Sequence, residues 1–143
     1  MSFATDANLL LYAVHSESEF HKPAKIFIEK CMGGKELWAL PWPVIHGFLR
    51  ISTHASVFPN PLTPPQAVSV IENLARLPHV QFIGEKPGFW DGYKTLLVDR
   101  QARGNLVTDT LIAALLTEHG IKTLYTKDRD FLRFDGIKVV DPI

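Results

Sequence analysis

The sequence predicts an α/β fold, a three-layer α/β/α sandwich on a mostly parallel sheet, as a single domain over residues 1–143. Two observations point there. Strand-like apolar runs alternate along the chain with segments of helical periodicity, the order in which parallel strands are joined by crossover helices covering both sheet faces. Acidic residues fall just beyond the ends of those runs, where open α/β sheets bind their ligands.

The first strand covers Phe3 to Asp6, and the apolar run Leu9 to Tyr12 behind it opens a helix that Asp6 is suited to cap. A second helix runs from Pro23 to Met32, with Ala24, Phe27, Ile28 and Cys31 on one stripe and Gly33-Gly34 ending it. Leu37 to Leu40 is the second strand; it leads into a proline-bracketed helix whose apolar stripe is Val44, Ile45, Phe48 and Leu49. Ser56 to Leu62, with Pro59 and Pro61, is a loop. Thr63 caps a helix from Pro64 to Leu77 that tolerates two prolines in its first turn and stops at Pro78. Val80 to Ile83 is the third strand. Pro87 to Arg103 is a helix expected to bury Trp90, Tyr93, Leu96 and Leu97. Thr108, as N-cap, and Asp109 open the most apolar helix, which closes at His119 with Gly120 in the left-handed position. Lys122 to Thr126 and Lys138 to Val140 complete the strands.

Composition narrows the class. The chain is 46% hydrophobic and 21% charged, with no repeat or Gly/Ser tract, so disordered, collagenous and solenoid readings fall away. With 15 basic and 15 acidic residues there is no general cationic coat, but an acidic cleft ringed by Lys and Arg sums to the same zero. The lone Cys31 has no partner for an internal disulfide and no zinc-site spacing, and reads as a small buried apolar residue. The N-terminal stretch lacks a basic segment and carries Asp6 within its apolar run, so a soluble, cytoplasmic protein is expected.

The chemistry lies in the acids. Asp6 is an N-cap or a ligand, with Asn8 a turn residue or a group that orients it. Asp109 either complements a helix dipole or faces a cleft across an apolar stripe. Asp128 and Asp130 follow a strand end and are anchored by Phe131, Leu132 and Phe134. A loose ring of carboxylates suits Mg2+ better than calcium or zinc, because magnesium takes one or two protein carboxylates and fills its shell with water and phosphate oxygens. Arg50, Lys127 and Arg129 lie close in sequence to these motifs and are candidates for phosphate contacts or plain surface charge. Trp38 reads as core, whereas Trp42 and Trp90 suit the lining of a cleft or a dimer surface.

Taken together, Asp6-Ala7-Asn8, Asp109-Thr110-Leu111-Ile112-Ala113-Ala114 before His119-Gly120, and Thr126-Lys127-Asp128-Arg129-Asp130-Phe131 resemble the motifs of a PIN-domain ribonuclease. Pro43-Val44-Ile45-His46-Gly47-Phe48-Leu49-Arg50 is similar to that family's second motif, and the likeness to VapC-type toxins of toxin-antitoxin pairs covers almost the whole chain. The resemblance implies a PIN-like sandwich with acids at the carboxyl end of the sheet, Mg2+- or Mn2+-dependent RNA cleavage, a homodimer, and a VapB-type antitoxin. It assigns Asp6, Asp109 and Asp128 to catalysis and metal binding, with Asp130 as an accessory or alternative ligand. Asn8, Thr108 and Thr126 would support them.

The family's glutamate is replaced here by Gly47. A glycine inside a helical pattern is about 1 kcal/mol worse than alanine, so it has no local reason to be there. Gly47 is therefore read as a lost acidic ligand, with reduced or abolished activity as the expectation; close approach of another backbone is the structural alternative. Two other classes fit parts of the pattern: a non-catalytic PIN-fold binding module, and a receiver-like signalling domain. The latter calls for an acid after a central strand, where Val80 to Ile83 is followed by Gly84 and Glu85.

Overall fold

The computed structural model describes residues 1–143. Five strands, β1 (Ser2–Thr5), β2 (Leu37–Pro41), β3 (Val80–Ile83), β4 (Thr123–Tyr125) and β5 (Lys138–Val140), form one sheet in the order β3-β2-β1-β4-β5. Every neighbouring pair is parallel. Six helices connect them: α1 (Ala7–Val14), α2 (His21–Gly33), α3 (Trp42–Ser52), α4 (Pro64–Ala75), α5 (Phe89–Asp99) and α6 (Asn105–Glu118). The chain steps outward from β1 to β2 to β3, then α5 and α6 carry it back past β1 to β4. With right-handed crossovers, outward and return helices cover opposite faces, which yields the expected α/β/α sandwich.

Burial explains why these residues make these elements. The last three residues of β1 and last four of β2 are buried, as strands covered on both faces must be. Trp38, Leu40, Leu9, Leu10, Ile45, Phe48, Leu115 and Leu116 fill the centre. The Trp38 indole N–H donates to the Thr5 hydroxyl across the β1–β2 pair at 3.0 Å, so the largest core side chain leaves no orphan donor. Thr63 makes a full capping box: its hydroxyl accepts from the Gln66 N–H, and the Gln66 side chain accepts from the Thr63 N–H. Gly120 has a φ of +69°, the left-handed conformation that ends α6.

Two sequence expectations are corrected. Helix α6 begins at Asn105 after Gly104, one turn before Thr108. Leu106 packs against the core and anchors that extra turn, so Thr108 is an exposed interior residue and not the N-cap. Helix α5 buries none of its residues: Trp90 is 61% exposed, and Tyr93, Leu96 and Leu97 are half-buried. Its main packing is on α6, which leaves the rest of its surface open to solvent.

Candidate metal centre

The strand order sets the position of the site. From β1 the chain moves first to β2 and later to β4 on the other side, so the sheet has its topological switch between β1 and β4. Connections leave that point in opposite directions and open a crevice at the carboxyl ends of the two strands. Asp6 follows β1 there, and Thr126 and Asp128 follow β4.

Asp6 is 8% exposed and caps α1, its Oδ1 accepting the Ala7 N–H at 2.7 Å. Its Oδ2 accepts the Thr126 hydroxyl at 2.8 Å. The same hydroxyl oxygen accepts the Asp128 N–H at 2.9 Å, so one threonine joins the two strand ends. Asp128 in turn caps a short 3-10 turn, Arg129–Arg133, by accepting the Asp130 N–H at 2.9 Å. Phe131, buried beneath the turn, fixes it to the core. Asn8 donates nothing to Asp6, whose partners are Ala7 and Thr126.

Asp109 sits in the second turn of α6, a consequence of the earlier helix start. Its carboxylate can lie with those of Asp128 and Asp130 so that one oxygen from each falls within 4.8 Å of the others. Burial, followed by repulsion from Asp128, Asp6 and Asp130, pushes the Asp109 carboxyl up to about 6, and no hydrogen-bond donor offsets this. Asp6 is raised as well, mainly by burial and further by Asp128; the Thr126 and Ala7 donors act against the shift. Like charges held together at such cost are the electrostatic complement of a cation. All three members of the cluster offer oxygen, with no thiol or imidazole among them, and this donor set fits a hard divalent ion.

Gly47, in α3, lies beside Ala7, the residue after Asp6. A Cβ built on it meets only the Ala7 Cβ, at 3.8 Å, which is ordinary contact. No backbone approaches closely enough to require glycine, and a side chain there starts beside the residue that follows Asp6.

The cations divide. Arg50 and Arg129 are exposed. Lys127 is engaged within the fold: its Nζ donates to Asp141 Oδ2 at 2.9 Å and lies 4.6 Å from the centroid of the Phe20 ring. Sequence reasoning passed over Asp141, a single acid after the last strand with no pattern to mark it. His119 is structural, its Nε2 within 2.8 Å of the Gly84 carbonyl, and His46 is exposed. Trp38 is core at 0% exposure; Trp42 is half exposed with its ring edge-on to Phe82.

Comparison with known proteins agrees with this geometry. The PIN domain family model matches residues 4–137. Ribonuclease VapC48 of Mycobacterium tuberculosis is 42% identical over 142 residues, spanning 99% of this chain and 98% of that protein. Ribonuclease VapC37 of the same organism is 31% identical over 137 residues, spanning 96% and 94%. The crystal structure of VapBC2 from Rickettsia felis, bound to a DNA fragment from its promoter, aligns with a TM-score of 0.66 at 18% identity, covering 98% of each chain. With the crevice, the acids and these relatives in agreement, the chain belongs to the PIN-domain family and, within it, to the VapC-type toxins.

Proposed function

We propose that this chain is a divalent-cation-dependent endoribonuclease, the toxin of a VapBC-type toxin-antitoxin pair. The observation that carries the reading is the convergence of Asp109, Asp128 and Asp130 at the sheet's switch point, with Asp6 joined to them through Thr126. The ribonuclease names of VapC48 and VapC37 support the activity, and the VapBC2 assembly on promoter DNA supports a VapB-type antitoxin as partner.

Asp109, Asp128 and Asp130 would hold Mg2+ or Mn2+, with Asp6 as the neighbouring acid. When bound, such an ion supplies polarisation of the scissile phosphate and a water activated near neutral pH. The protein's own residues do the rest. The Thr126 hydroxyl keeps Asp6 oriented and favours its charged form. The turn from Asp128 to Asp130 presents two carboxylates from one short segment. Exposed Arg50 and Arg129 are the cations free to meet RNA phosphates, whereas Lys127 is already paired. Gly47 leaves one carboxylate fewer than the family pattern, and activity below that of a chain with an acid at this position is part of the reading. Trp90, 61% exposed, and Val98, 75% exposed, on α5 support a homodimer, which sedimentation equilibrium checks.

The test is RNA cleavage by the purified chain with Mg2+ or Mn2+, with EDTA, and for Asp109→Asn. Metal-dependent cutting that the variant loses is expected. Binding of RNA without cutting under every metal condition would instead identify a non-catalytic PIN-fold module.

A further inference from the structure

We propose that Asp141 is a positioning residue of the acidic centre: with Phe20 it locks Lys127, and so fixes the loop that presents Asp128 and Asp130. The inference rests on the metal-dependent reading of that centre.

Lys127 lies between Thr126, the partner of Asp6, and Asp128, which caps the 3-10 turn. Its side chain is only 21% exposed. The ammonium donates to Asp141 Oδ2 at 2.9 Å and rests over the Phe20 ring, which packs on Tyr12 of α1 with centroids 5.1 Å apart. The acid is itself oriented, because its Oδ1 accepts the Ile143 N–H at 3.1 Å. One side chain therefore ties together the loop after β4, the exit from β5, and the aromatic pair beside the helix that Asp6 caps.

The need for such a tie follows from the charges. Asp109, Asp128 and Asp130 repel one another when no cation is present, and the repulsion acts to push the loop away from α6. Hydrogen bonds from the Asp128 and Asp130 amides set the shape of the loop and buried Phe131 anchors the turn that follows, but none of these holds the stretch around Lys127 to the exit of β5. The Lys127 strut reaches outside the loop. With the Asp141 side chain 49% exposed, the pair contributes little to stability, so its consequence is placement. Placement of ligands by the groups behind them governs metal affinity. A direct contact between Lys127 and an RNA phosphate would require the ammonium to leave both Asp141 and Phe20.

The experiment compares wild type, Asp141→Asn and Asp141→Glu in the full chain, with Mn2+ binding measured by calorimetry and RNA cleavage resolved into kcat and KM. Asp141→Asn is expected to weaken Mn2+ binding by about 10-fold or more and to lower kcat, with melting of the metal-free protein little changed. Asp141→Glu, which restores the charge, is expected to recover most of the affinity. Wild-type Mn2+ affinity in the Asn variant overturns the proposal. A fall in KM with Mn2+ affinity unchanged also overturns it, showing that Asp141 restrains a lysine meant for RNA. A wild-type chain that binds no Mn2+ overturns the metal-centre reading first, and this inference with it.

Discussion

Thr126 holds two acids at once, donating its proton to Asp6 and accepting the Asp128 amide with the same oxygen. Valine is close in shape and offers neither bond. Thr126→Val therefore leaves a buried carboxylate and a backbone N–H short of a partner, each loss of the kind that costs about 1–3 kcal/mol. Denaturant unfolding is expected to show destabilisation in that range, and Mn2+ titration a weakening of about 10- to 100-fold, because the side chain orients ligands on both strands. Serine, which retains the hydroxyl, is expected to keep most of the affinity. At this scale the sequence named Thr126, Asp6, Asp128 and Asp130 as candidates, and the fold links Thr126 to Asp6 and Asp128 by hydrogen bonds with Asp130 in the turn that follows. The sequence was silent on Asp141, whose role depends on a lysine 14 residues away.

Helix α3 meets Ala7, the neighbour of Asp6, at a residue that has no side chain. Gly47 sits mid-helix, in contact distance of Ala7 and with no backbone pressing on it, so the close-packing explanation for the glycine has no support in the geometry. Gly47→Ala is expected to stabilise the protein by up to about 1 kcal/mol through helix propensity, read from chemical denaturation, without changing Mn2+ affinity. Gly47→Glu is expected to raise both Mn2+ affinity and RNA cleavage above wild type; equal values for the Glu and Ala variants would sink the lost-ligand reading. Helix α6 teaches a different lesson. Its start was read three residues late because Thr108-Asp109 resembles a cap, while the true start after Gly104 is held by Leu106 packing on the core. The shift moves Asp109 from the first turn to the second, where a macrodipole has less hold on it and neighbouring acids have more.

Across the whole molecule, the acidic centre sets how stability responds to pH and metal. The Asp109 carboxyl is raised from 3.8 to about 6 in the folded chain, so the fold binds its proton more tightly than the unfolded chain does. That contribution to stability is fully present below the unfolded value and is lost as pH rises through about 6. Asp6 shifts in the same direction. Thermal melts in EDTA are expected to show this loss, with a smaller loss for Asp109→Asn; in Mn2+ the stabilisation should grow over the same interval, because the ion favours the ionised acids. A wild-type slope identical to that of Asp109→Asn, with or without metal, would count against the centre. By itself the sequence determined the fold class, through apolar runs alternating with helical periods, because local pattern fixes it; it proposed four acids, Asp6 and Asp109 each open as a cap, a dipole partner or a ligand. Tertiary structure alone decided the strand order that brings Asp6 and Asp128 to one crevice, the exposure of α5, and the capture of Lys127 by Asp141. Those depend on which distant segments become neighbours, and the free energy of that choice resides in packing between elements that no local stretch of sequence contains.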